Sequence, residues 1–108
     1  MTFAELYTNL KSLTGFNDKV AYRQFPEGSA PALPFIVYYA ENSDNFGADN
    51  KVYLQKTEVT IELYTKQKDV TSEGLIETML NNNSIFWNKY EDYIESEHMY
   101  QISYDITI

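Results

Sequence analysis

His98 is the chain's one imidazole and so its first candidate for proton transfer. A hydrolase or transferase needs a nucleophile, a base and an orienting group. His98 falls among Glu95, Glu97 and Tyr100 at an expected turn, and an exposed turn histidine requires neither a partner nor a role. The chain has no cysteine, which removes a thiolate nucleophile, thiolate zinc ligation and any disulfide framework. Asp44 and Asp49, with the asparagines around them, offer oxygen ligands for a hard cation. Their spacing does not match the Asp-x-Asp-x-Asp-Gly loop with its closing glutamate, so they read as a solvated loop. Glu58, Glu62 and Tyr64 alternate onto one face of a strand and resemble a carboxylate pair, a pattern that a charged outer face explains equally well. Gly28, Gly47 and Gly74 stand apart and form no phosphate-binding signature. The expectation is a non-enzymatic protein with no catalytic, cofactor-binding or metal-ligating residues.

The surplus of the chain lies in aromatic rings and negative charge. Ten tyrosines, six phenylalanines and one tryptophan fall within 108 residues. Tyrosine joins a large contact area to a polar tip and is enriched at protein interfaces. Tyr38, Tyr39, Tyr53, Tyr64, Tyr90 and Tyr93 exceed what one small core needs, so some are expected either to face another subunit or simply to cover the sheet. Sixteen acidic residues against eight Lys and Arg give a formal charge of −8, which repels phosphate backbones and anionic headgroups. Aromatic stacking on single-stranded nucleic acid needs a basic groove beside the rings, and none is evident. The opening residues Met-Thr-Phe-Ala-Glu-Leu lack the basic and apolar regions of a signal peptide, and no apolar run approaches the roughly 18 residues of a membrane span. The expected product is soluble, with no membrane and no sequence-specific nucleic-acid partner.

The elements that position these side chains follow from spacing. Thr2 and Glu5 form a capping box. Phe3, Leu6, Leu10 and Leu13 then make an apolar stripe, predicting a helix over 3–14 closed by Gly15. Val20 to Phe25 reads as a short strand, and Glu27 to Pro31 as a turn or loop. Phe35-Ile36-Val37-Tyr38-Tyr39 lacks alternation and suits a central strand buried on both faces. Asn42 to Asn50 is the longest expected loop. Lys51 to Thr65 is expected as one long strand, regular where Val59, Ile61 and Leu63 alternate. Its start, around Val52, Tyr53 and Leu54, is less regular, as in a bulge or half of a projecting hairpin arm. Asp69, Thr71 or Ser72 caps a second helix carrying Leu75, Ile76, Met79 and Leu80 and ending at Asn81-Asn82-Asn83. Ser84 to Ile108 holds two strands turning near Ser96-Glu97-His98, the last alternating cleanly through Tyr100, Ile102, Tyr104, Ile106 and Ile108. No linker or repeat divides the chain, so residues 1–108 are read as a single domain. Its order is α-β-β-β-α-β-β, an α+β fold with an antiparallel or mixed sheet of about five strands and both helices on one face.

Four segments carry a resemblance: Leu33 to Tyr39, the Ser43 to Lys51 loop, Val59 to Thr65 with Lys68-Asp69 after it, and Tyr93 through Glu97 to Tyr104. Together they resemble small tail proteins of siphophages and prophages of Gram-positive bacteria. Within that group the chain is most similar to the tail terminator, or tail-completion and tail-to-head joining, proteins. The similarity spans nearly the whole chain as a pattern rather than as one diagnostic motif. It implies a non-enzymatic subunit of a hexameric ring that ends tail-tube growth, touches the tail-tube and head-connector proteins, and resides in the virion after synthesis in the host cytoplasm. On that reading an acidic lumen would repel passing DNA. Asp44, Asn45, Phe46, Asp49 and Lys51, with Tyr53 and Tyr64, are the expected subunit or partner contacts, because a lone aromatic in a polar loop gains little unless something covers it. Competing readings are another neck or minor tail component, and a phage-encoded regulatory module that holds a protein on its aromatic face.

Overall fold

The computed structural model describes residues 1–43, 46–48, 51–54 and 56–108, with side chains described for 1–41 and 56–108. The first helix, α1 (Phe3–Lys11), starts at the expected capping box: Thr2 Oγ1 accepts from Glu5 N at 3.1 Å, and Thr2 N donates to Glu5 Oε1 at 3.1 Å. It stops three residues short of the expected end. Ser12 turns its hydroxyl back onto Asn9 O at 2.7 Å, a local bond that competes with helix continuation, and Gly15 (φ 88°) turns the chain only beyond it.

Strand β1 is confined to Val20–Tyr22, because Arg23 adopts a left-handed conformation (φ 67°) and Gln24 N bonds Tyr22 O. The remaining elements are β2 (Phe35–Ser43), β3 (Phe46–Ala48), β4 (Lys51–Leu54), β5 (Thr57–Thr65), α2 (Val70–Asn82), β6 (Trp87–Ile94), a 3₁₀ turn at Glu95–Glu97 and β7 (Met99–Thr107). They form the expected α+β architecture. The main sheet has five strands in the order β1-β2-β5-β7-β6, and it is mixed: β1 runs parallel to β2, and every other pair is antiparallel.

Strand register explains the core. Ile36 faces Leu63, which faces Ile102; Tyr38 faces Ile61, which faces Tyr104; Ala40 faces Val59, which faces Ile106. These rows share one side of the sheet. Leu6 and Leu10 of α1 and Ile76, Met79 and Leu80 of α2 close over them in a single buried cluster, so both helices lie on that side. The expectation that β2 is covered on both faces also holds. Val37 is buried on the far side, where Phe25 stacks edge-on against Phe35 at 5.2 Å and the Arg23 guanidinium lies 5.3 Å from the Tyr39 ring centre.

The Asn42–Asn50 loop is where the sequence reading departs most from the structure. β2 continues to Ser43, and β3 and β4 pair antiparallel with each other as a separate two-stranded ribbon. Because β2 and β5 are themselves partners down to Ser43 and Thr57, the ribbon prolongs their hairpin as an arm. A nine-residue strand spans roughly 30 Å, whereas the molecule measures 50 × 29 × 23 Å. The radius of gyration, 14.9 Å, likewise exceeds the roughly 13 Å of a compact domain of this length. The expected single strand over 51–65 is thus two, β4 in the arm and β5 in the sheet.

Ile61 is fully buried at the centre of the middle strand. Ile61→Ala is expected to lower unfolding free energy by about 2–5 kcal/mol, read as a fall in denaturant midpoint at unchanged slope.

Candidate functional site

The side of the sheet away from the helices carries three rows, set by register. Across β2, β5, β7 and β6 they run Phe35, Tyr64, Gln101, Asp92; then Val37, Glu62, Ser103, Tyr90; then Tyr39, Thr60, Asp105, Asn88. Glu62, in the second, ties all three together. Its Oε1 accepts from Tyr64 Oη at 2.9 Å, and its Oε2 accepts from Tyr39 Oη at 3.2 Å and from Gln101 Nε2 at 2.8 Å. Gln101 Nε2 also reaches Tyr64 Oη at 3.0 Å. Thr60 Oγ1 donates to Asp105 Oδ1 at 3.1 Å. Burial, followed by the Glu62 carboxylate, pushes the Tyr64 phenol well above the usual tyrosine range, and the same two causes raise Tyr39. Both phenols therefore remain protonated donors. A proton abstractor or nucleophile needs the opposite shift; these groups fix one another in place and present rings beside a carboxylate.

At the arm end of the sheet, Glu41, Glu58, Phe86, Asn88 and Asp105 line a half-open hollow of about 300 Å³. Phe86 is 80% exposed there, beside three carboxylates. Among the described residues, no cluster of three or more His, Asp or Glu is arranged to hold a metal ion. No described helix is long and apolar enough to cross a membrane. His98 adopts a left-handed conformation (φ 51°) in the exposed turn between β6 and β7.

Of the residues expected to make contacts, Asp44, Asn45 and Asp49 lie outside the described residues. Phe46 opens β3 opposite Leu54, Lys51 opens β4 opposite Ala48, and Tyr53 lies within β4, so these three share the arm. Tyr64 does not join them. It sits seven residues along β5 from Thr57, about 23 Å at the usual strand rise. Of the tyrosines expected in excess of the core, Tyr38 belongs to it, whereas Tyr90 and Tyr93 are 54% and 47% exposed on β6. No family model matches this chain, and no curated protein matches it.

One cluster escaped the sequence reading. Glu73 of α2 is 2% exposed, with Lys89 Nζ 2.7 Å from Oε1 and Lys68 Nζ 2.9 and 2.8 Å from its two oxygens. Lys68 continues to Glu91 at 2.6 Å, and Lys89 to Glu77 at 2.7 Å. Tyr104 Oη donates to Glu77 Oε2 at 2.7 Å. The available signal was a carboxylate on the apolar stripe: Glu73, Ile76, Glu77 and Leu80 share a helical face. In the partner strand, Lys89 and Glu91 occupy positions where alternation from Trp87 points toward the helix. These charges dock edge strand β6 under α2.

Removing one partner of a buried pair leaves the other unsatisfied. Lys89→Met is expected to cost about 3 kcal/mol, against about 1 kcal/mol or less for Lys68, whose side chain is 43% exposed, on substitution to Met; thermal unfolding measures both. Burial raises the Glu77 pKa, but hydrogen bonds from Lys89 and Tyr104 and the Lys89 charge outweigh it and hold the carboxyl below its usual value. Bonds from Ser72 depress Asp69, the cap of α2. A folded-state pKa below the unfolded one stabilises above the unfolded value and is lost as pH falls through the folded one. Stability is therefore expected to fall below about pH 4, and Glu77→Gln to flatten that acid limb.

Proposed function

We propose that this chain is a structural phage tail protein, a terminator or tail-to-head joining subunit that forms a ring, ends tail-tube growth and meets the head connector. The observation that carries the reading is a small sheet with its helices on one face only, an aromatic and acidic second face and a two-stranded arm beyond one end. Such a subunit leaves surface to be covered by neighbours. The four segments that resemble tail proteins fall on the first part of β2, the arm, β5 and the β6–β7 hairpin, the elements that build this face and the arm.

The ring is proposed as a hexamer of this chain in the neck of the virion, with the tail-tube and head-connector proteins as its partners. The open face contributes Glu62, Asp92 and Asp105, so a lumen lined by it would hold phosphates at a distance. The arm, with Phe46, Lys51 and Tyr53 in it, is proposed to contact a neighbour or the tube. The same open face would suit a regulatory protein-binding module, and the two readings differ in self-association.

Light scattering over a concentration series, with and without purified tail tube, separates them. The expected result is a six-fold mass, alone or on the tube. A monomer that ignores the tube would transfer the assignment to a protein-binding module.

A further inference from the structure

The two edges of the main sheet differ in kind. β6 is eight residues long and pairs with β7 without a bulge from Trp87 opposite Ile106 to Ile94 opposite Met99. Natural sheets blunt such edges with proline, bulges and charged side chains, inward-pointing ones included. Here no proline or bulge interrupts the strand, and the two charges that turn toward α2, Lys89 and Glu91, are neutralised in ion pairs with Glu73, Glu77 and Lys68. β6 is therefore a regular, open template for another strand, with Tyr90 54% exposed near its centre. At the opposite edge, β1 is three residues long, bounded by Lys19 and by Arg23.

We propose that copies of this chain join head to tail, β6 of one protomer pairing antiparallel with β1 of the next, so that the sheets run on into one another. The inference rests on the ring reading and identifies the surface that closes the ring. Strand direction permits it: β1 runs with β2, and the three antiparallel steps through β5 and β7 leave β6 running opposite to β1. Copies related by a rotation with its axis along the strands thus bring β6 and β1 together antiparallel. The contact joins two different surfaces, the kind that closes into rings.

Charge and register favour this pairing over the alternatives. The row of Val37, Glu62, Ser103 and Tyr90 starts at Ala21 of β1. One step earlier, Lys19 extends the row of Phe35, Tyr64, Gln101 and Asp92. Joined without stagger, the sheets set Asp92 beside Lys19 and Tyr90 beside Ala21. Two β1 edges meeting antiparallel would instead set Lys19 against Arg23. Two β6 edges would unite strands that each carry Glu91 and Asp92 and lead into Glu95 and Glu97. Opposite charges across paired strands stabilise, and like charges oppose. Because β1 is short, each junction contributes few backbone bonds, and the closed ring or the tube surface must supply the rest.

The chain has no cysteine, so introduced thiols report position without background. Ala21→Cys, Tyr90→Cys and the double variant are treated with a short bismaleimide under the conditions in which light scattering detects assembly, tail tube included. A ladder of covalent oligomers from the double variant, with neither single variant giving one, is the expected result. A ring by mass with no ladder overturns the edge pairing and leaves the ring reading standing. A dimer band from Tyr90→Cys alone assigns the edge to β6–β6 contact and overturns the proposal. Monomer under every condition overturns both readings. As an independent measure that alters only edge charges, half-buried Lys19 and exposed Asp92, Lys19→Glu and Asp92→Lys are each expected to lose assembly, and their combination to regain it. Combined variants that stay unassembled, while each keeps the parent's unfolding transition, would count against the pairing.

Discussion

Val59, Ile61 and Leu63 occupy the middle strand with Ile36 and Tyr38 on one side and Ile102, Tyr104 and Ile106 on the other. Burying those side chains under two helices is the requirement that the rest of the molecule meets. Alternation at period two means that once these residues face the helices, their neighbours Thr60, Glu62 and Tyr64 must face away. One stretch of sequence therefore decides both where the core lies and which residues make up the open face. A slip of one residue would exchange the two sets, and no arrangement of the helices could bury Glu62 and its partners as well as it buries the isoleucines.

The edge strand obeys a different rule. β6 offers the helices only Trp87 as a large apolar residue near the core, followed by Lys89 and Glu91. Its attachment depends on charges that satisfy one another around Glu73. Such a cluster adds little net stability compared with an apolar contact of the same size, but it is costly to break by halves, and so it defines where β6 sits along α2.

The tyrosines divide along the same line. Tyr104 and Tyr38 lie in the core, Tyr104 with its hydroxyl anchored on Glu77. Tyr39 and Tyr64 are tied to Glu62 on the outer face, and Tyr90 and Tyr93 are left at the free edge. A polar tip lets one residue type serve in all three places. Tyr39 and Tyr64 on the outer face are held in position by hydrogen bonds rather than free to reorient, so the shape of that surface is set in the isolated chain.

Much of this was legible in the chain itself. The capping box at Thr2 and Glu5, the alternation of β5 and β7, the unalternating β2 and the apolar stripe of α2 are local patterns with local causes, and they determined the α+β class, five main-sheet strands and helices on one face. The ends of α1 and β1 were not legible, because a serine hydroxyl folding back and a left-handed Arg23 leave no periodic trace. The arm was only half visible. Its β4 strand had weak alternation, while β3 is a pairing partner that turn-forming residues disguise. In the sequence Glu62 is legible only as a charged strand residue, because its bonds to Tyr39 and Gln101 join positions 23 and 39 residues away. Lys89 and Glu73 are likewise distant in sequence and meet only when α2 lies across the sheet. Periodicity reports which way a side chain points; which side chains it then meets is decided by strand order and register, and those exist only in the folded chain.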